Sequence, residues 1–122
     1  TGTGGMGTIH AGSAESTLSR MEALMKSFST MREEAIRQLL RENIDIIIHV
    51  KTLGDRKKRI TDILEVVKDK ASRFNRLYEF VPDKIMKDAF ITGKFEVRKR
   101  PAFLNERLFI SDDEIPAFWR EK

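Results

Sequence analysis

Leu18, Met21, Leu24, Met25 and Phe28 recur every three or four residues, the spacing that gathers apolar side chains on one helical face. Ser13 stands ahead of this run where it can cap a helix, with Glu15 in the first turn, where the helix dipole favours a carboxylate. A second helix is predicted from Thr30. Thr30-Met31-Arg32-Glu33 has capping-box spacing, in which hydroxyl and carboxylate satisfy each other's orphan amides. Ile36, Leu39 and Leu40 form its apolar stripe, with Arg37, Gln38 and Arg41 mostly opposite.

The period then shortens. Asp45-Ile46-Ile47-Ile48-His49-Val50 is a β-branched run too short for an independent helix, and it reads as a strand buried on both faces. Gly54-Asp55 supplies turn chemistry. Arg59–Val67, with Ile60, Ile63, Leu64, Val66 and Val67, reads as the return strand of a hairpin. Further strands are expected at Phe74–Val81, ended by Pro82, and at Lys94–Arg98 after Gly93. Short helices are expected over Asp83–Ala89 and from Pro101 through Phe103, Leu104, Leu108 and Phe109. Ser111-Asp112-Asp113-Glu114 again has capping-box character, but Pro116 interrupts that helix early. Near the N-terminus, Thr8-Ile9-His10 has the look of a short strand.

With 122 residues, the chain holds one compact domain of modest core. Hydrophobic residues make up 40% and charged residues 34%, a balance of folded rather than disordered chains. No apolar run reaches the roughly 18 residues of a membrane span. No apolar leader segment is recognisable at the N-terminus. With zero cysteines, disulfide and thiol chemistry are excluded, and a cytoplasmic setting fits. The formal charge of +4 permits anionic partners without specifying one. Two histidines and no cysteine do not make a zinc site.

The glycine-rich start, TGTGGMGTIHAGSAE, contains G-x-G-x-x-G at Gly2, Gly4 and Gly7. A dinucleotide fingerprint needs a strand before the first glycine and a helix after the last. Here an extended stretch follows Gly7. A phosphate-binding loop needs a lysine where Thr8 stands, and no G-x-x-x-x-G-K-[ST] occurs elsewhere in the chain. The informative part is therefore Thr8-Ile9-His10-Ala11, which the glycines serve by letting the backbone turn and a ligand approach.

Several blocks in order carry a resemblance. Thr1-Gly2, Gly7-Thr8-Ile9-His10-Ala11, Ser13 and Leu18-Ser19-Arg20-Met21-Glu22 resemble the histidine box of secretion traffic ATPases. These are the type II and type IV secretion and pilus-assembly motors, of the CpaF/TadA-type branch. Ile36-Arg37, Ile44–Val50, Gly54-Asp55-Arg56 and Arg59–Val66 are similar to the blocks that follow it in that family. Gly93-Lys94-Phe95 and Arg100-Pro101-Ala102-Phe103 resemble its tail. Thr3 stands where the family usually has His, and Gly12 where it usually has Asn.

The resemblance implies an α/β fold: the C-terminal portion of a RecA-like P-loop ATPase domain, with two helices, then a β-hairpin, then an irregular α+β tail. It implies a division into 1–67, the partial motor domain, and 68–122, an extension packing on it. It implies ATP with Mg²⁺ as cofactor, and His10 as the catalytic group that contacts the γ-phosphate. Gly7, Thr8, His10 and Arg20 would be the nucleotide-binding residues, with no protein metal ligand. It also implies a hexameric ring, an inner-membrane platform protein as partner, a peripheral place at the inner membrane and no sequence-specific nucleic acid. The phosphate loop would lie upstream, so this segment alone would not hydrolyse ATP. A competing expectation is a non-enzymatic α/β module that binds nucleic acid or a protein partner. Arg56-Lys57-Lys58-Arg59 reads as a solvated hairpin tip that can meet a neighbouring subunit or lipid. His49 reads as a histidine bonded within the sheet.

Overall fold

A computed structural model describes residues 4–68, 74–83, 91–102 and 114–120. Helices α1 (Thr17–Phe28) and α2 (Glu33–Asn43) come first. Strands β1 (Ile46–Thr52), β2 (Lys58–Val66), β3 (Phe74–Pro82) and β4 (Gly93–Val97) follow, and then a short helix α3 (Ala117–Arg120). The strands form one sheet in the order β1-β2-β3-β4, antiparallel at every pairing. The class is thus a mixture of helices and strands, α+β in layout. The expected helix pair and hairpin are present. The strands expected at Phe74–Val81 and Lys94–Arg98 are present as β3 and β4, and they extend the hairpin into a meander where the resemblance implied an irregular tail. The β2–β3 pairing runs across position 67/68.

Helix starts differ from the sequence expectation in an instructive way. Ser13 does make cap-type bonds, but with Ser16. The Ser16 amide donates to Ser13 Oγ and the Ser13 amide to Ser16 Oγ, each at 3.1 Å. This closes a turn ahead of α1, whose regular helix starts only at Thr17, with Ser16 as N-cap. Glu15 is therefore outside the helix and pairs with Arg76 of β3. The Thr30 capping box does not form. α2 starts at Glu33 after an extended Arg32, with no side-chain cap. The Glu33 carboxylate is drawn instead to Arg37, at 2.9 Å, and Lys26, at 3.6 Å.

Thr8-Ile9-His10 forms no strand. β-propensity needs a paired edge to express itself, and the described strands pair only with one another. The helix expected over Asp83–Ala89, the one through Phe103 and Phe109, and Ser111-Asp112-Asp113 fall mainly or wholly outside the described residues.

The core sits on one face of the sheet. Ala14, Ile47, Leu64 and Val66 are buried there, with Leu18, Ile44 and Phe74 packed against them. Ile47 and Leu64 are direct cross-strand partners, so they share a face. Ile36 and Leu40 bury the inner stripe of α2, whereas Leu39 is exposed. Full burial of a side chain such as Ile36 or Leu64 contributes about 2 kcal/mol. The expectation that β1 is buried on both faces is corrected. Ile47 is buried, but Ile48 is 56% and Val50 54% exposed. Helices α1 and α2 cover one face of the antiparallel sheet; on the other, the Trp119 ring of α3 meets Tyr78 edge-on at 6.3 Å.

Candidate functional site

Residues 4–11 approach α1 without regular structure. Gly7, Thr8 and His10 are exposed on this segment, and Ile9 is half-buried. Arg20 is exposed in the first turns of α1. A Cβ built on Gly4, Gly5, Gly7 or Gly12 would meet nothing within 4 Å, and no described glycine has positive φ. Among the described residues, neither a tight turn nor close packing therefore demands these glycines. What they leave is a bare, accessible backbone on both sides of the imidazole.

The segment ends at a cavity. Gly12 and Ser13 form part of the wall of a space of about 310 Å³, with His49, Lys51, Thr61 and Asp62 among the other lining residues. A bulge in β2 makes this cluster. His49 pairs with Asp62 but Val50 pairs with Ile60, so Thr61 is the extra residue that a bulge re-aims. Its hydroxyl lies 3.1 Å from His49 Nδ1, and the Asp62 carboxylate is 3.9 Å from the same nitrogen. Arg76 neutralises Asp62 from β3. His49 is thus bonded within the sheet, as its place in the strand suggested, and it also borders the cavity. Sequence reasoning missed that convergence, because the bulge has no local signature.

The basic run is divided. Arg56, Lys57 and Lys58 are exposed. Arg59 turns inward, and its Nη1 and Nη2 donate to Asp55 Oδ1 and Oδ2 at 2.8 and 2.5 Å. The Asp55 side chain is only 3% exposed. Asp55 also accepts from the Ile91 amide at 3.0 Å and the Lys57 amide at 3.2 Å, while Arg59 donates to the Ile91 carbonyl at 2.8 Å. The Arg59 guanidinium, first, and these amides hold the Asp55 carboxyl well below the usual carboxylate range, against the opposing effect of burial. This pair is a structural clamp between the hairpin and the β4 approach. The signal for it was present as opposite charges four residues apart around a turn.

Glu65, on β2, is a second buried carboxylate, 4% exposed. It accepts from Asn75 Nδ2 at 3.0 Å and from the Ala102 amide at 3.0 and 3.1 Å. It fastens the segment after β4 onto the sheet. Among the described residues no group of three His, Cys, Asp or Glu side chains is arranged to hold a metal ion. Among them, too, no helix is long and apolar enough to cross a membrane.

No protein-family model matches the chain, and no curated protein matches it either.

Proposed function

We infer that the chain is the C-terminal part of a RecA-like motor domain of a secretion or pilus-assembly ATPase. The observation that carries this reading is the presentation of His10. The imidazole is exposed on a glycine-flanked segment whose bare backbone no turn or packing contact among the described residues requires, and that segment leads through Ser13 straight into a helix. A nucleotide phosphate is the ligand such a segment suits, since backbone amides and an imidazole N–H are donors for phosphate oxygens. The order of elements after it — helix, helix, hairpin — is the order the resemblance requires.

In this reading Gly7 offers its backbone amide, Thr8 its hydroxyl and His10 its imidazole to the terminal phosphates of ATP, and Arg20 adds a cation nearby. ATP with Mg²⁺ supplies the phosphoryl chemistry when bound. Mg²⁺ would be held by the phosphates and by residues outside this chain. The chain's own task is to sense the terminal phosphate and pass its presence to the hairpin through α1 and the sheet. The intact protein works as a ring, six subunits in the family's manner. It lies at the cytoplasmic side of the inner membrane against a platform protein and drives export or pilus assembly. The division of the basic run, with Arg59 spent on Asp55, weakens the nucleic-acid alternative, which would use all four cations.

The experiment joins the chain to the sequence preceding it in its gene and measures ATP binding. The reading expects a G-x-x-x-x-G-K-[ST] loop in that sequence and saturable ATP binding by the longer polypeptide. The 122 residues alone should give no turnover. Absence of such a loop together with absence of ATP binding contradicts the reading.

A further inference from the structure

The pairing register sorts the sheet into two chemically opposite faces. Ile48 pairs with Ile63, Ile63 with Tyr78, and Tyr78 with Val97, so one apolar row crosses all four strands. The adjacent row is His49, Asp62, Glu79 and Glu96, and alternation puts it on the helix-covered side. Val50 and Ile60 form the next apolar pair toward the hairpin tip. Ile60, Ile63, Tyr78 and Phe95 line one shallow pocket on this face. Ile60 is 42% and Phe95 58% exposed. At its far end the face is closed by Glu65 and the Ala102 amide. Trp119 of α3 packs on Tyr78 in the middle of the row, and among the described residues Ile48, Val50, Ile60 and Phe95 are exposed toward the tip.

The tip supplies the charge. Lys58 pairs with Thr52, one alternation beyond Val50 and Ile60, so its ammonium borders the open aliphatic pair. Arg56 and Lys57 are exposed in the turn itself. The carboxylate of the turn, Asp55, is buried and taken by Arg59, and the acidic row faces the other way. Cations at a rim beside exposed aliphatic and aromatic side chains, with the acid of this face, Glu65, buried at the far end, complement an anionic bilayer surface. The cations meet headgroups and the apolar side chains enter the acyl boundary. A polyanion such as duplex DNA would use the cations and leave Val50, Ile60 and Phe95 exposed.

We propose that the β1–β2 tip and the exposed apolar residues beside it, Ile48, Val50, Ile60 and Phe95, dock on anionic lipid. This inference does not depend on His10 or on nucleotide. It is tested by co-sedimentation of the protein with vesicles of phosphatidylcholine alone or containing about one-third phosphatidylglycerol, with circular dichroism confirming the fold of each variant. The expected result is binding to the anionic vesicles at least about tenfold stronger than to neutral ones, and loss of most of it with added salt. Arg56→Gly with Lys58→Glu should weaken binding about tenfold or more. Ile60→Thr with Val50→Thr keeps β-branching and should also weaken it. No binding to anionic vesicles overturns the proposal. So does binding that ignores the Ile60 and Val50 changes, the signature of a purely electrostatic polyanion site. A second copy seated on the face overturns it too, seen as a dimer that Ile60→Thr dissociates.

Discussion

Asp55 and Arg59 meet as two oxygens against two guanidinium nitrogens, at 2.8 and 2.5 Å, on the inner side of the β1–β2 turn. Both also bond the backbone of Ile91. One side-chain pair therefore holds together a turn and a segment 36 residues away in sequence. Charge-assisted, bidentate bonds of this kind are the strong members of their class.

The pH dependence of folding should carry the mark of Asp55. Its carboxyl is depressed in the folded chain, so the unfolded chain binds the proton more tightly. The resulting stability is fully present above the ordinary carboxylate pKa, near about 4, and is lost as pH falls below it. Urea midpoints measured from neutral pH down to about pH 3 should fall more steeply in the native protein than in Asp55→Asn. Asp55→Asn and Arg59→Met should each lower the midpoint at neutral pH. The double variant should lose less than the sum of the two.

Arg56 has φ of 64°, in the left-handed region. Its amide bonds Leu53 O at 2.9 Å, and the Leu53 amide bonds Lys57 O at 3.1 Å. This is a turn followed by a left-handed residue, a position that favours glycine. Arg56→Gly should raise stability by about 0.5–1 kcal/mol in urea unfolding. Arg56→Val should lower it by at least as much.

Gly93 and Gly54 should answer oppositely to alanine. A Cβ on Gly93 would come within 2.5 Å of Val81 O and 2.6 Å of the Phe80 ring. Gly93→Ala should therefore shift the β3–β4 pairing and cost about 1–3 kcal/mol. A Cβ on Gly54 meets only Ile91 Cδ1, at 3.9 Å, and its φ is not positive. Gly54→Ala should be neutral or slightly stabilising. Thermal unfolding of the two variants checks both.

Much of the element order was legible because it follows from periodicity. The α1 stripe from Leu18, the Ile36 and Leu40 stripe of α2, and the alternation that made β2, β3 and β4 are local patterns. What failed was chemistry with two claimants. Glu33 fitted a capping box with Thr30, but Arg37 and Lys26 compete for its carboxylate. Ile46-Ile47-Ile48 fitted a strand buried on both sides. How many faces are covered depends on where the helices dock, which no local pattern records. Gly54 looked like the residue the turn needed, yet Arg56 holds the left-handed position. At the candidate site, His10 and Gly7 were legible as a motif. The His49, Thr61 and Asp62 cluster was not, because the bulge at Thr61 arises from pairing between strands.

The decisive measurement is steady-state ATP turnover by the polypeptide that joins this chain to its upstream sequence, native against His10→Ala. If His10 contacts the terminal phosphate, kcat falls roughly a hundredfold while KM changes little. Equal kcat in the two proteins contradicts the role given to His10, and with it the motor reading of this chain.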